Sequence, residues 1–221
     1  TGPVIAGVSS VSSSAFMVMP SGNTEIRGAG SGRAIVFVGA TPTAVTTIDA
    51  FNTATSGNAF DFGEASAARY NNGHGGCASA TRGVIADGTA TEYVIFSSSG
   101  GANDFGDHRV VSGSGAAIGH AADGVRGLLA GGYNAPANLN TIDFITIATT
   151  GDANDFGDLS VPKELNAGFA SPTRGIFAGG NPYTDVIDFV EILTTGNATD
   201  FGDLTDGRRG ISGSSNGHGG L

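Results

Sequence analysis

The chain has 221 residues, of which 38 are glycine, and a formal net charge of −10 at pH 7. A surface with such an excess of acidic groups repels phosphate backbones, so no nucleic-acid partner is expected. No apolar run approaches the roughly 20 residues that a membrane-spanning helix requires, so no membrane insertion is expected. The single cysteine, Cys77, excludes an internal disulfide, which fits synthesis in a reducing cytoplasm.

Two short apolar segments precede residue 33. They are GPVIAG (Gly2–Gly7) and AFMVMPSGN (Ala15–Asn23), and each ends in a turn of small residues. This pattern predicts short β-strands. The opening TGPVIAG also lacks the basic region of a signal peptide, so a chain without a leader is expected, and a mature product of cleavage is the alternative.

A unit that begins at Arg33 recurs along the rest of the chain. Its first part is an arginine followed by an apolar run that ends in glycine, and these arginines are Arg33, Arg82, Arg126 and Arg174. Its second part is an acidic residue followed by near-alternating apolar residues, and these acidic residues are Asp49, Glu92, Asp143 and Asp188. Both patterns predict strands, the second with one buried face. Each arginine is expected to pair with an acidic residue of its own or the adjacent unit, such as Asp143 or Asp188, and so to set the register between units.

Each unit ends in a phrase centred on Asp-Phe-Gly, abbreviated here as DFG. The four copies are GNAFDFGE, GGANDFGD, GDANDFGD and GNATDFGD, around Asp61, Asp104, Asp155 and Asp200. We predict a turn that closes the unit, in which the aspartate accepts backbone hydrogen bonds and the glycine provides backbone freedom. Four phenylalanines, Phe62, Phe105, Phe156 and Phe201, are expected to fill the core between units. A kinase role is rejected because the chain lacks the HRD-type loop that accompanies that triplet in kinases.

The two ends of the chain complement each other. Residues 202–221 begin another unit that does not continue, whereas AFMVMPSGN aligns with the middle of a unit, FITIATTGD (Phe144–Asp152). A unit of about 44 residues with three to four strands is typical of a propeller blade. We therefore predict one all-β domain, a five-bladed β-propeller closed by terminal segments that share one blade. Its blades are residues 1–23 with 204–221, 24–63, 64–107, 108–158 and 159–203. Two alternatives stay open: four blades with an N-terminal arm, or insertion of the first segment into a neighbouring subunit.

No catalytic residue, metal site or cofactor is predicted. The oxygen-rich DANDFGD (Asp152–Asp158) departs from an EF-hand calcium loop, which needs a ligand where Phe156 stands and a distal glutamate. The histidines His74, His120 and His218 stand at non-equivalent positions without a cysteine or carboxylate cluster, which favours turn or solvated histidines over a zinc site. No nucleophilic triad is predicted either.

The units resemble the kelch repeat. Gly131-Gly132 and Gly179-Gly180 match the diglycine of that family, and the DFG phenylalanines stand roughly where it has tryptophan, which this chain lacks. Repeats such as RGLLAGG, TIDFITIATTG and NATDFGDL are similar to those of kelch-like structural proteins of tailed phages, including tail-fibre and other virion proteins of marine phages. This resemblance implies a non-enzymatic virion protein made in the host cytoplasm. Its expected partners are other virion proteins, with a host-surface glycan or protein and a homo-oligomer as further expectations.

The loops between the second and third strands of the units differ most from one another. Variable loops on a rigid scaffold usually carry binding, and exposed aromatic residues favour protein and sugar contacts. The candidate contact residues are Tyr133, Asn134, Asn138, Asn140, Asn181, Tyr183 and Asp185. The alternative function is a glycan-binding lectin or adhesin, secreted or at a cell surface, and a propeller hydrolase is less favoured.

Overall fold

The computed structural model describes residues 32–69, 75–87, 90–109 and 118–215. Within these ranges the regular secondary structure is β-strand alone, which confirms the all-β prediction. No helix in this part of the chain is long and apolar enough to cross a membrane. The strands form four antiparallel sheets of three or four strands and one two-stranded hairpin.

Each repeated unit forms one sheet, and strands that are adjacent in sequence pair within it. Sheet 1 contains β1 (Arg33–Ala40), β2 (Ala44–Asn52) and β3 (Phe60–Arg69). Sheet 2 contains β4 (Gly76–Ala78), β5 (Arg82–Asp87), β6 (Ala90–Ile95) and β7 (Asn103–Gly106). Sheet 3 contains β8 (Gly119–Ala122), β9 (Arg126–Ala130), β12 (Thr141–Thr146) and β13 (Asn154–Asp158). Between β9 and β12 the chain forms a separate two-stranded hairpin of β10 (Tyr133–Asn134) and β11 (Ala137–Asn138). Sheet 4 contains β14 (Ala167–Ala170), β15 (Arg174–Ala178), β16 (Val186–Glu191) and β17 (Thr199–Asp203).

The observed sheets can be compared with the predicted blades. The predicted boundary between residues 63 and 64 falls inside β3, because sheet 1 extends to Arg69. The predicted fifth blade, residues 1–23 with 204–221, lies outside the described residues except for 204–215, which form no strand. The described residues do not show a closed ring.

The DFG phrase forms the outer strand of each sheet, so the prediction of a turn is wrong. In sheet 3, Asp155 of β13 lies opposite Asp143 of β12, and a β-bulge separates Ile142 from Asp143. The same pairing and bulge occur at Asp49 with Asp61, Glu92 with Asp104, and Asp188 with Asp200. The glycine of the phrase adopts a positive φ, between +136° and +152° in the four copies, which disfavours other residues there.

The aspartates of the phrase have different partners. Asp200 Oδ1 accepts the Gly202 N–H at 2.9 Å, as the predicted local hydrogen bond requires. Asp155 Oδ1 instead accepts a side-chain bond from Arg109 at 2.7 Å. The expected backbone role therefore does not describe all four copies.

The hydrophobic core lies between neighbouring sheets. Val94 and Ile48 pack between sheets 1 and 2, and Leu128 packs between sheets 3 and 4. Of the four DFG phenylalanines, Phe62, Phe105 and Phe156 are buried, at 1–2 % exposed surface. Phe201 is 55 % exposed, contrary to the expectation. The reason is that each buried ring is covered by the following sheet, and in the described part of the chain no sheet follows sheet 4.

Hydrogen bonds join the outer strand of each sheet to the next sheet. Between sheets 2 and 3, the Gly151 N–H donates to the carbonyl oxygen of Phe105 at 2.6 Å, and the Ala153 N–H donates to that of Asp107 at 2.8 Å. The Asp107 N–H donates in turn to Asp152 Oδ1 at 3.0 Å. We call these three bonds the inter-sheet clamp.

The clamp recurs at the other two junctions. Between sheets 3 and 4, the Gly196 N–H donates to the Phe156 carbonyl oxygen and the Ala198 N–H donates to that of Asp158. The Asp158 N–H donates in turn to Asn197 Oδ1. Between sheets 1 and 2 it joins Gly100 to Phe62 and Ala102 to Glu64. The third bond has no acceptor at that junction, because Gly101 stands where the others have Asp152 or Asn197.

The repeated arginines also connect the sheets, but through carbonyl groups. Arg33, Arg82 and Arg126 donate to the following sheet, at the carbonyl oxygens of Phe96, of Ile147 (3.1 Å) and of Ile192 (2.8 Å). Arg82 and Arg126 also lie over aromatic rings of their own sheets, 4.4 Å from the centroid of Tyr93 and 4.3 Å from that of Phe144. Arg174 pairs with Glu191 at 2.8 Å on its own sheet. The expected pairing with an acidic residue of the same unit is therefore found for Arg174, but the expected partners Asp143 and Asp188 are wrong, because other cations occupy those carboxylates.

Those cations come from the segments that precede sheets 3 and 4, and a third cation, Arg69 at the end of β3, holds the corresponding carboxylate of sheet 2. Arg69 pairs with Glu92, Arg109 Nε lies 3.0 Å from Asp143 Oδ1, and Lys163 Nζ lies 2.9 Å from Asp188 Oδ2. Burial raises the pKa of Asp143 above its usual range, and the Arg109 guanidinium opposes that shift. Each pair fixes the part of the chain that precedes a sheet, the end of β3 for Arg69 and a connecting segment for Arg109 and Lys163, to that sheet.

Candidate functional site

The predicted contact residues of sheets 3 and 4 lie next to each other. Asn138, on β11, donates from Nδ2 to the carbonyl oxygen of Asn181 at 2.7 Å. Asn181 donates from Nδ2 to Glu164 Oε1 at 2.9 Å, and its Oδ1 accepts a bond from Arg209 Nη1 at 2.9 Å. The backbones of Glu164 and Asn181 also bond to each other, with N···O distances of 2.7 and 3.3 Å. We call this surface, formed by residues 133–140, 164, 179–185 and 209, the contact-loop surface.

Tyr183 presents its ring to solvent on this surface. Its side chain is 64 % exposed, and the Arg209 guanidinium lies 4.9 Å from the ring centroid. The backbone beneath it is tightly packed, since Tyr183 has a φ of +23° and a Cβ at Gly207 would overlap its carbonyl oxygen. The neighbouring Thr184 N–H donates to the Gly180 carbonyl oxygen at 3.0 Å. The ring is thus exposed on a well-supported loop, which suits an aromatic contact residue.

The other predicted contact residues have backbone roles here. Tyr133 pairs with Asn138 and Asn134 pairs with Ala137 in the β10–β11 hairpin. The carbonyl oxygen of Asn140 accepts the Leu159 N–H at 2.6 Å, and that of Asp185 accepts the Leu204 N–H at 2.8 Å. Both bonds fix the loops to the chain segments that follow sheets 3 and 4.

Lys163 supports the surface from below. Its backbone N–H donates to Leu139 and its carbonyl oxygen accepts the Gly132 N–H, both at 2.9 Å, so it is fixed to the hairpin of sheet 3. Its buried ammonium lies beside Asp188 and donates to the Phe177 carbonyl oxygen of sheet 4 at 3.2 Å. Burial lowers the pKa of Lys163, and Asp188 opposes that shift. One residue therefore joins the loops of two sheets.

Sequence reasoning missed Arg209 and Glu164. The pair Arg208-Arg209 is a signal that could have found one of them, because the chain has only ten lysine and arginine residues. Glu164 carries no such signal, since it reaches Asn181 only through the path of the connecting segment.

The described residues contain no group of three or more histidine, cysteine, aspartate or glutamate side chains that could hold a metal ion. In DANDFGD, Asp152 Oδ1 accepts the Asp107 N–H and Asp155 accepts from Arg109. His74 and His218 lie outside the described residues.

Comparison with known proteins bears on the fold alone. No family model matches the chain, and no curated protein matches it. A solved structure titled "Structure of YjhT" is similar, with a TM-score of 0.61 over 83 % of this chain and 71 % of that chain. The two sequences are 14 % identical, so the similarity concerns the arrangement of the sheets.

Proposed function

We propose that this chain is a non-enzymatic structural protein of a phage virion, associated with the tail fibre or the particle surface. Its contact-loop surface binds neighbouring virion proteins, and recognition of a host surface is a second role of the same loops. The observation that carries the proposal is Tyr183, an aromatic ring that is 64 % exposed on a loop fixed by hydrogen bonds. Exposed, well-supported aromatic residues are typical of protein interfaces.

The neighbouring groups suit a protein partner. Arg209 lies against the Tyr183 ring and donates to the Asn181 side-chain amide, and the Asn138 amide donates to the Asn181 backbone. Interfaces are enriched in tyrosine and arginine, and their rims are polar. Because these side chains are already held by one another, binding would immobilise few additional rotamers.

We further propose that the sheets are blades of a five-bladed kelch-like propeller, closed by residues 1–23 and 204–221. The exposed end of sheet 4 supports this closure. Phe201 is 55 % exposed and Leu193 is 67 % exposed, whereas Phe156, the counterpart of Phe201 in sheet 3, is buried by the next sheet. An uncovered apolar sheet face favours association with another segment. The segment Ile211–Ser215 already runs beside β14, since Ser215 Oγ donates to the Ala170 carbonyl oxygen.

The virion role is tested by cross-linking the full chain within purified particles and identifying the linked peptides by mass spectrometry. We expect cross-links from the contact-loop surface to other virion proteins. The variant Tyr183→Ala should reduce incorporation into particles by about tenfold or more, the effect of a residue worth ~1.4 kcal/mol at an interface.

The matched control is Val125→Ala, because Val125 is 63 % exposed in the turn between β8 and β9, away from the contact loops. This variant should enter particles normally. Recovery of the wild-type chain as a monomer unattached to any particle would overturn the proposal, as would equal incorporation of Tyr183→Ala and wild type.

A further inference from the structure

The outer strand of sheet 4 presents the same backbone groups that form the inter-sheet clamp elsewhere. In sheet 3 the clamp uses the carbonyl oxygens of Phe156 and Asp158 and the Asp158 N–H, all three bonded to sheet 4. β17 pairs with β16 in the same register, bulge included, in which β13 pairs with β12. The corresponding groups of sheet 4, the carbonyl oxygens of Phe201 and Asp203 and the Asp203 N–H, therefore point away from β16.

No described residue bonds to these three groups of sheet 4. Gly202, which lies between them, differs from its counterpart in sheet 3 in the same way. A Cβ at Gly157 would overlap the Gly196 carbonyl oxygen, whereas the Cβ position of Gly202 has no described atom within 4 Å. The backbone is nevertheless alike, with a φ of +136° at Gly202 and +147° at Gly157. The edge of sheet 4 thus has the conformation of a clamped edge, and the described part of the chain supplies no sheet to clamp it.

The other side of the clamp is a triplet of consecutive residues. In Gly196-Asn197-Ala198, the first and third residues donate their N–H groups and Asn197 Oδ1 accepts. Gly151-Asp152-Ala153 does the same between sheets 2 and 3. The leading glycine has a φ of +157° or +150°, which disfavours other residues, and the third residue contributes only its N–H, which proline lacks. A complete triplet is therefore glycine, then asparagine or aspartate, then any residue except proline.

Gly22, Asn23 and Thr24, which lie outside the described residues, have the sequence of a complete triplet. The alignment of AFMVMPSGN with FITIATTGD places Gly22 at the position of Gly151 and Asn23 at that of Asp152. A segment that resembles the middle of a unit is thus followed by the residues that clamp a unit to the preceding sheet. In the proposed ring, the preceding sheet is sheet 4.

The other triplets of the chain do not supply this contact. Gly57-Asn58-Ala59 of sheet 1 is complete and exposed, but it does not bond to Phe201 or Asp203. Gly180-Asn181-Pro182 ends in proline and so lacks the second donor. Triplets that begin at the glycine of a DFG phrase, such as Gly157, already form outer strands.

We propose that Gly22, Asn23 and Thr24 of the same chain bind the outer strand of sheet 4 through the inter-sheet clamp. The N–H groups of Gly22 and Thr24 donate to the carbonyl oxygens of Phe201 and Asp203 respectively. Asn23 Oδ1 accepts the Asp203 N–H. This inference rests on the proposed closure of the ring, and it identifies the residues that hold the closing segment to sheet 4.

Disulfide trapping in the full chain tests the contact. Asn23→Cys is combined with Asp203→Cys, because Asn197 Oδ1 lies 3.1 Å from the backbone nitrogen of Asp158 at the equivalent contact. Such proximity suits a disulfide, which spans roughly 4.4–6.8 Å between Cα atoms. The native Cys77 is buried and does not compete. We expect mild oxidation to link positions 23 and 203 within one chain, as shown by mass spectrometry of the linked peptides.

The matched control is Asn58→Cys with Asp203→Cys, because Asn58 holds the same triplet position on sheet 1. This pair should form at least about tenfold less intrachain disulfide than the pair with Asn23→Cys, since a held contact gives a high effective concentration. Preferential intrachain linkage from Asn58→Cys would show that sheet 1 closes directly on sheet 4. Linkage between two chains would show that a second copy covers sheet 4. Either result would overturn the proposal, as would absence of the disulfide from Asn23→Cys.

Amide hydrogen exchange, measured by NMR, reports on the third bond without a disulfide. Asn23→Ala removes the acceptor of the Asp203 N–H, so this amide should exchange about tenfold faster than in the wild type. The matched variant Asn197→Ala should have the same effect on the Asp158 N–H, which Asn23→Ala should leave unchanged. Unchanged exchange at Asp203 in Asn23→Ala would contradict the role given to Asn23.

Phe201→Ala separates this inference from the ring closure on which it rests. If the disulfide and the exchange effect are absent but Phe201→Ala costs as much unfolding free energy as Phe156→Ala, another segment covers sheet 4 and this inference alone fails. If Phe201→Ala also costs little, the proposed closure fails with it.

Discussion

Lys163 and Asp188 form an ion pair in which neither side chain exposes any surface, with Nζ 2.9 Å from Oδ2. The ammonium also donates to the carbonyl oxygens of Phe177 and Val186, at 3.2 and 3.3 Å. The backbone of Lys163 is fixed to the hairpin of sheet 3. The chain's one lysine therefore links sheet 3, the connecting segment and sheet 4.

Lys163→Met is expected to destabilise the protein by about 3–5 kcal/mol, because it leaves the Asp188 carboxylate buried without a cation. The free energy of unfolding is measured by urea denaturation at pH 7. The double variant Lys163→Met/Asp188→Leu should recover most of the loss, since both charges are then removed.

The control for this pair is Arg174→Ala, which removes an ion pair with Glu191 that is about half exposed. Its expected cost is about 0.2–1 kcal/mol. If Lys163→Met cost no more than Arg174→Ala, the structural role given to the buried pair would be incorrect.

Phe156→Ala and Phe201→Ala compare two copies of one position. Phe156 is 2 % exposed, so its truncation should cost about 3–5 kcal/mol. Phe201 is 55 % exposed in the described structure, but terminal segments that close the ring would cover it. With the proposed closure, urea denaturation should show nearly equal losses for the two variants. A loss below about 1 kcal/mol for Phe201→Ala would show that nothing covers sheet 4.

Gly157→Ala isolates the close approach of neighbouring sheets. Gly157 has a φ of +147°, and a Cβ there would overlap the Gly196 carbonyl oxygen of the clamp. Gly151 has a φ of +150° but no atom within 4 Å of its Cβ position. Gly151→Ala should therefore show backbone strain alone, about 1–3 kcal/mol, whereas Gly157→Ala should exceed about 4 kcal/mol. Equal losses of stability for the two variants in thermal denaturation would show that backbone strain, and not contact between the sheets, explains why residue 157 is glycine.

Gly101→Asn should complete the clamp between sheets 1 and 2. Asp152 and Asn197 hold the corresponding positions and accept a backbone N–H at 3.0 and 3.1 Å. The new Cβ would lie 3.2 Å from the Glu64 carbonyl oxygen, a contact that needs a small adjustment. We expect a gain of about 0.5–1.5 kcal/mol in the free energy of unfolding, and a similar loss for Asn197→Ala. A destabilised Gly101→Asn would mean that this junction is spaced differently from the other two.

The repetition in the sequence predicted the strands that begin at the repeated arginines and those that carry the repeated acidic residues, because apolar alternation reports which face is buried. It predicted a turn where the DFG phrase forms the outer strand of each sheet. It also placed Phe62, Phe105 and Phe156 at the sheet junctions, where they are buried. The same repetition predicted a buried Phe201, which is exposed, because the burial of this ring depends on the next sheet and not on the DFG phrase itself.

The partners of charged residues could not be read from spacing. Arg109 reaches Asp143 and Lys163 reaches Asp188 from connecting segments of unequal length, so no fixed interval relates cation to carboxylate. For the contact-loop surface, the sequence identified Asn181 and Tyr183 as candidates through loop variability. It gave no means of finding Glu164, which depends on the path of the connecting segment.

The buried thiol of Cys77 should make the free energy of unfolding depend on pH. Burial raises the pKa of its thiol from the ordinary value of 9.0 to about 12. Because the folded-state pKa is the higher one, the unfolded chain ionises first, and the stability from this group is present below pH 9.0 and is lost as pH rises toward 12. Relative to Cys77→Ala, the wild type should lose about 1.4 kcal/mol of unfolding free energy between pH 7 and pH 10. Urea denaturation at both pH values measures this difference, and parallel pH profiles of the two proteins would show that the native thiol is not shielded from ionisation.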